Sequence, residues 1–309
     1  MNKISFIIPC YRSENTLKGV ISDIKLAMEK MAQYSFEVIL INDSSPDGTV
    51  GVIEELVKEN DNITGIDMTK NFGQHAALMA GFHFATGDYV ICLDDDGQTP
   101  PLEAYKLIDK LNEGYDAVYA RYRHKKHSTF RNFGSQVNEF MAEQMLGKPH
   151  DLYVSSFFGV KRHIVDEILR YNNPYPYVIG LVLRSTSKIC NVDVEHKERT
   201  VGTSGYSFAK LISLWMNGFT SFSVKPLRIA TIAGVITAIV GFLFMIYVLV
   251  VKLSGNPNTP LGWSSLMAMV LVIGGMNLMV LGMIGEYIGR MYISMNNSPQ
   301  YVIGRVIKK

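Results

Sequence analysis

The stretch Tyr89–Pro101, YVICLDDDGQTPP, decides how the rest of the chain is read. The apolar, β-favouring residues Tyr89–Leu93 stop at Asp94, Asp95 and Asp96; Gly97, Gln98, Thr99 and two prolines follow. So short a run, bounded by turn residues, predicts a buried strand. Adjacent carboxylates are too costly to bury unpaired, so they are expected at the strand's exit, in water or on a cation. Asp94 and Asp96 alternate and so point the same way from an extended chain. Their oxygens, the Gln98 carbonyl and the phosphates of a ligand make the hard-oxygen set that Mg²⁺ or Mn²⁺ takes. The competing reading is an acidic surface turn, and the flanking sequence decides between the two.

Upstream, strands and helices alternate. Ile4–Ile8 predicts a strand ending at Pro9, and Ser13–Tyr34 a helix, with Leu17, Val20, Ile21, Ile24, Met28 and Met31 at helical spacing. Phe36–Ile41 predicts a strand ending in Asn42 and Asp43, Thr49–Asn60 a helix, Ile63–Asp67 a strand and Gln74–Ala85 a helix. A helix is expected after Pro101, then a strand at Ala117–Tyr122. This alternation calls for an α/β fold, a mostly parallel sheet with helices on both faces. Ligands bind such sheets outside the carboxyl ends of the strands. Pro9–Glu14, Asp43 and Asp94–Gln98 all fall there, so separate polar clusters converge on one edge.

Composition narrows the classes. The 309 residues suffice for one large domain plus a smaller part, and a net charge of +2 argues against a nucleic-acid partner. Cys10, Cys92 and Cys190 are scattered, which suits a reducing compartment and neither a disulfide framework nor a zinc site. There is no HExxH, GxGxxG or GxxxxGK[ST] motif, so neither a dinucleotide fold nor a P-loop enzyme is indicated. The loop Asn42–Thr49, NDSSPDGT, places Asp43, Ser45, Asp47, Gly48 and Glu54 near the positions of a calcium loop. A strand enters it where a helix is needed and Pro46 interrupts it, so calcium is disfavoured.

Arg121–Arg131, RYRHKKHSTFR, is a basic run on the ligand-bearing edge; Arg121 and Arg123 alternate and suit bidentate anion capture. Asn132–Leu146 predicts a helix, Tyr153–Val160 and Lys188–Val194 strands, and Tyr171–Tyr177 a loop. Tyr206–Phe222 suits a helix lying in a membrane interface or one connecting two domains. Ile229–Val251 is uncharged and, at 1.5 Å per residue, extends about 34 Å, enough for a bilayer core of roughly 30 Å. Trp263–Ile284 is a second uncharged run, and both are expected as transmembrane helices. Lys225 and Arg228 precede the first; Arg290, Arg305, Lys308 and Lys309 follow the second; the intervening loop offers only Lys252. The positive-inside rule then leaves both ends in the cytoplasm. Small residues at Ala230, Gly234, Ala238, Gly285 and Gly289 permit close helix contact, and with it a homo-oligomer such as a dimer or tetramer. The expected division is 1–198 catalytic, 199–228 juxtamembrane, 229–290 two membrane helices and 291–309 a cytoplasmic tail.

IIPCYRSENT (Ile7–Thr16), INDSSPDGT (Ile41–Thr49), KNFGQHAALMAG (Lys70–Gly81), GDYVICLDDDGQTPP (Gly87–Pro101) and RTVGTSGYSFAKL (Arg199–Leu211) together resemble the membrane-bound family-2 glycosyltransferases that act on polyprenyl phosphates. The resemblance implies a GT-A fold, a divalent cofactor (Mg²⁺ or Mn²⁺), a UDP-hexose donor or alternatively a UDP-aminosugar, UDP-aminoarabinose or GDP-mannose, an undecaprenyl phosphate acceptor and a place in the bacterial inner membrane. By matching position, it implies that Pro9, Tyr11, Glu14, Asp43, Asp94 and Asp95 hold the nucleotide-sugar. Asp94, Asp96 and Gln98 hold the metal. Arg121, Arg123, Arg131 and Ser204 face the acceptor phosphate. Asp94, Asp96, Arg121, Arg123 and Arg199 carry the transfer. Members of the bactoprenol glucosyltransferase type commonly have a GDFR-like segment where this chain has Ser155–Phe158, so Ser156 replaces a carboxylate and Phe158 an arginine.

Overall fold

The run KISFIIPC forms β1 (Lys3–Cys10). It lies inside a sheet of eight strands among the residues that the computed structural model describes: 1–122, 143, 148–195, 225–253, 262–296 and 298–309. In parallel, β1 pairs with β2 (Ser35–Asn42) and β4 (Tyr89–Cys92), and β2 with β3 (Ile63–Met68). β5 (Ala117–Tyr122) pairs in parallel with β7 (Ile189–Val194). β6 (Phe158–Lys161) runs antiparallel between β4 and β5, and β8 (Ile303–Ile307) antiparallel to β3. The order is β7-β5-β6-β4-β1-β2-β3-β8, so the sheet is mixed, with β4, β1, β2 and β3 parallel side by side and β5 and β7 a second parallel pair.

Alternation along β1 and β2 divides the core. Ile4, Phe6, Ile8, Val38 and Leu40 face α1 (Leu17–Lys30), α2 (Thr49–Glu59) and α4 (Ala104–Asn112), all sealed from water. On the other face Ile7 and Ile41 meet α3 (Gln74–Phe84), which comes so close that a Cβ on Gly81 would lie 2.5 Å from the Ile7 Cγ2. α5 (Arg162–Ile168) and α6 (Val178–Ser185) complete that layer. Burying each Ile or Phe contributes roughly 1.5–3 kcal/mol, so these two apolar layers hold the strand ends in place.

Several elements depart from the sequence reading. α1 starts at Leu17, not Ser13, because the Ser13 carbonyl accepts the Thr16 and Leu17 N–H groups in a preceding turn. The Tyr153–Val160 strand shrinks to Phe158–Lys161. Val178–Ser185, rich in β-branched residues and unassigned by periodicity, is a helix because its buried face packs on α3 and α5. The segment expected as a tail at 291–309 ends in β8, which covers β3; without it β3 would present an unpaired edge. The expected helices at Asn132–Leu146 and Tyr206–Phe222 lie outside the described residues, Glu143 apart.

The chain divides into two units, Met1–Leu214 with Asn297–Lys309, and Trp215–Asn296. The second unit contains α7 (Lys225–Leu253) and α8 (Trp263–Met295), in contact with each other. Thr237 Oγ1 lies 3.1 Å from Met276 Sδ across that contact. Ile232, Val235, Ile239, Phe242, Leu278 and Leu281 stand exposed, an apolar area that water does not tolerate. Among the described residues Val272–Met295 of α8 is long and apolar enough to cross a bilayer, while Ala230–Phe244 of α7 is a shorter apolar stretch.

Candidate active site

The parallel strands β1, β2, β3 and β4 end on one edge, and β6 and β8, running the other way, begin there. That edge gathers Tyr11–Glu14 after β1, Asp43 after β2, Asp94–Gln98 after β4, Arg121 and Tyr122 closing β5, and Ser155 and Ser156 before β6. Local sequence aims the acidic stretch: Gly97 takes φ +74°, and the turn brings the Gln98 N–H to 3.0 Å from Asp96 Oδ1.

Each aspartate has a different anchorage. Asp94 Oδ1 accepts from Gln74 Nε2 at 2.9 Å, at the start of α3, and its Oδ2 accepts from the Ser156 hydroxyl. Burial, opposed by the Ser156 hydrogen bond and reinforced by the charges of Asp96 and Asp95, pushes the Asp94 carboxyl up to about 6. Asp95 Oδ2 accepts from the Tyr11 N–H at 2.9 Å and from the Ser13 hydroxyl, locking the loop after β1 to the acidic stretch. Burial raises its carboxyl too, against those two hydrogen bonds. Tyr122 stands close enough for the charge of Asp94, after burial itself, to raise its phenol.

Asp43 anchors a second cluster of hydrogen bonds. Its carboxylate accepts the Phe72 and Gly73 N–H groups at 2.7 and 2.8 Å, and burial outweighs them to raise its carboxyl. Gly73 sits at φ +89°, which lets the chain turn into α3. Glu14 Oε2 accepts the Gly48 N–H at 2.7 Å and so clasps the β1 and β2 loops together. Tyr11 presents an exposed ring, 5.6 Å from the Arg12 guanidinium carbon. Pro9 lies within β1, opposite Ile41.

Of the expected cationic residues, Arg121 is on the edge, where its Nε donates to Asp193 Oδ1 at 2.7 Å across the β5–β7 pair. Arg123, Arg131, Arg199 and Ser204 lie outside the described residues. The sequence reading passed over Gln74, Ser13 and Asp193. Gln74 and Ser13 lie inside quoted motifs, but their partners are about 20 and 82 residues away, which no local pattern reveals. Beneath the edge, His75 Nδ1 and the Tyr119 hydroxyl are sealed without a hydrogen-bond partner among the described residues, and His75 meets the Tyr177 ring edge-on at 4.9 Å. Burial lowers the His75 imidazole to about 4, so it is neutral at ordinary pH.

The donor set suits a hard cation. Among the described residues no cluster of three or more His, Cys, Asp or Glu side chains is placed to hold a metal. Two carboxylates and an amide do suffice for Mg²⁺ or Mn²⁺, which keep waters and take phosphate oxygens. Burial is the main cause of the raised Asp94 carboxyl, and the charges of Asp96 and Asp95 add to it.

Residues 5–169 match the model of glycosyl transferase family 2, and residues 225–291 that of the GtrB C-terminal hairpin. The undecaprenyl-phosphate 4-deoxy-4-formamido-L-arabinose transferase of Proteus mirabilis (strain HI4320) is 33% identical over 309 residues, covering 99% of this chain and 94% of the relative. That of Klebsiella pneumoniae (strain 342) is 31% identical over 311 residues, covering 100% and 95%. Among solved structures, glucosyl-3-phosphoglycerate synthase from Mycobacterium tuberculosis, in complex with Mn²⁺, UDP and phosphoglyceric acid, superposes with a TM-score of 0.51 at 16% identity. It covers 69% of this chain and 75% of that one. This last likeness concerns the fold and confirms the GT-A architecture.

Proposed function

The chain belongs to glycosyltransferase family 2, and from that premise we propose that it moves one sugar from a nucleotide diphosphate donor to undecaprenyl phosphate at the cytoplasmic face of a bacterial inner membrane. The observation that carries this is the acidic edge, where Asp94, Asp95 and Asp96 are clamped by Gln74, Tyr11, Ser13, Ser156 and Gln98, in a chain that continues into an apolar hairpin. The relatives are named for the same acceptor class.

The chemistry needs no general base. A sugar hydroxyl must lose a proton to attack, whereas a phosphate monoester is already anionic, its second pKa lying near 6. One acceptor oxygen forms the bond to the anomeric carbon, the bond from that carbon to the donor diphosphate breaks, and the nucleoside diphosphate leaves with the electron pair. In-line attack inverts the anomeric centre. Ser156, where the bactoprenol glucosyltransferase type commonly carries a carboxylate, fits this scheme: its hydroxyl positions Asp94 and removes no proton. Asp94, Asp96 and Gln98 would hold a divalent cation, whose role when bound is to offset the charge on the leaving diphosphate. Arg121, oriented by Asp193, together with Arg123, Arg131, Arg199 and Ser204, would meet the phosphates of acceptor and donor.

The relatives' names point to a formamido-arabinose donor, which falls among the alternatives to a UDP-hexose that the sequence resemblance leaves open. A panel of radiolabelled UDP-hexoses, UDP-4-deoxy-4-formamido-arabinose and GDP-mannose, assayed with undecaprenyl phosphate and Mg²⁺ or Mn²⁺, tests both levels. Label entering the lipid phase from one donor is expected; no lipid-soluble label from any would refute the proposal.

A further inference from the structure

Residues 298–309 follow the second apolar helix in sequence, yet they rejoin the first unit as the strand beside β3. β8 begins at the functional edge, where Ile303 lies opposite Met68. A bulge lies between Asp67 and Met68, so Gly304 has no opposite residue, and Arg305 falls directly across from Asp67. Arg305 Nε donates to Asp67 Oδ2 at 3.2 Å, and its Nη2 lies 2.7 Å from Glu54 Oε1 on α2. The other oxygen of Asp67 accepts from Asn42 Nδ2 at 2.8 Å. Asn42 Oδ1 accepts the Ser45 N–H at 3.2 Å, and Ser45 Oγ accepts the Arg12 N–H at 2.7 Å. A continuous relay therefore runs from β8 to the loops that carry Asp43 and Tyr11. A second tie reaches the other side of Asp43: the Thr69 N–H donates to the Val302 carbonyl at 3.0 Å, just ahead of the Phe72 and Gly73 N–H groups that Asp43 holds.

We propose that this C-terminal segment is part of the nucleotide-binding edge, with Arg305 as a positioning residue that holds the Asn42–Thr49 loop and Asp43 in register for a nucleoside diphosphate. The ligand class rests on the reading given under Proposed function; the brace itself rests on the contacts above. An arginine bridging two acids fixes geometry through its planar fork, which a lysine does not reproduce. The Arg305 ion pairs are also half exposed, and such pairs contribute little to global stability. Loop order and stability therefore separate in a test.

The full chain in nanodiscs is compared with Arg305→Ala, Arg305→Lys and Asp67→Asn. Amide hydrogen exchange without ligand is expected to quicken over 42–49 and 69–73 in Arg305→Ala, with the thermal midpoint nearly unchanged. Calorimetry with UDP and GDP is expected to show about a tenfold weaker Kd for whichever one the parent binds, the order of effect of losing one outer orienting contact. Arg305→Lys is expected to recover part of this loss, and the KM for undecaprenyl phosphate to stay within about twofold. Unchanged exchange in both loops, or equal weakening of donor and acceptor, would overturn the proposal. A parent that binds neither nucleotide would instead refute the nucleotide reading, and with it the affinity consequence, while the exchange result still decides the brace.

Discussion

Asp94, Asp95 and Asp96 show why neighbours of one type do different work. Asp95 is spent on the Tyr11 and Ser13 loop, Asp94 is held by Gln74 and Ser156, and Asp96 receives the Gln98 N–H of its own turn. If Asp96 supplies metal-binding charge, Asp96→Ala should lower lipid glycosylation by about a hundredfold or more, the order for a lost electrostatic contribution to a transition state. The circular dichroism spectrum and melting midpoint should persist; retained transfer would remove Asp96 from the site. His75 gives a second prediction. Its folded imidazole titrates near 4, below the ordinary 6.5, so between those values the unfolded chain binds more protons and stability falls as pH falls. Asp94 opposes this, since a raised folded pKa makes stability fall as pH rises toward 6. The difference between parent and His75→Phe isolates the histidine: the parent should lose up to about 1.4 kcal/mol per pH unit relative to the variant below pH 6.5. Parallel denaturant midpoints at pH 7 and about pH 5 would contradict it. The acidic trio was legible because three carboxylates in a row have few tenable places. The His75 nitrogen, without a partner among the described residues, was not, because its ring meets Tyr177 just before α6, distant in sequence.

At the scale of elements, the seat of α3 matters most to the site, since its first residue holds Asp94 and the turn before it is held by Asp43. Its depth is set by Gly81, where a Cβ would meet Ile7 Cγ2 at 2.5 Å and Ile41 Cδ1 at 2.9 Å. Gly81→Val should therefore overpack the layer, destabilise by about 1–3 kcal/mol and lift the start of α3. A lower melting midpoint together with weaker donor binding is expected; a stable, fully active variant would show that the layer can yield. Most strands and helices of the first unit were legible because both faces of the sheet are covered, leaving near-continuous apolar strands between amphipathic helices. β6 was only partly legible: Gly159 admits the Ile91 and Leu111 side chains, and a four-residue strand between two neighbours carries no period of its own. α6 was hidden because β-branched residues favour strand locally and tertiary packing overrides them.

Taken whole, the chain carries a charged strand-end edge in its first unit and, in its second, apolar helices with exposed Ile, Val, Leu and Phe side chains. The full chain should stay in the membrane pellet after alkaline carbonate washing. Pro257→Cys should react in intact cells with a membrane-impermeant maleimide, placing that loop outside and both termini inside. Release by carbonate, or a thiol that reacts only after lysis, would refute the arrangement. By itself the sequence determined the class of fold, the edge on which the polar clusters gather, the acidic stretch on it and the apolar helices, because each is written in contiguous residues whose period or charge has one economical placement. Only the tertiary structure decided that Gln74 and Ser156 hold Asp94, that Asp193 takes Arg121, and that the last residues return to close the sheet through Arg305. Those contacts join positions tens to hundreds of residues apart, and the free energy that selects them exists only after the layers have packed.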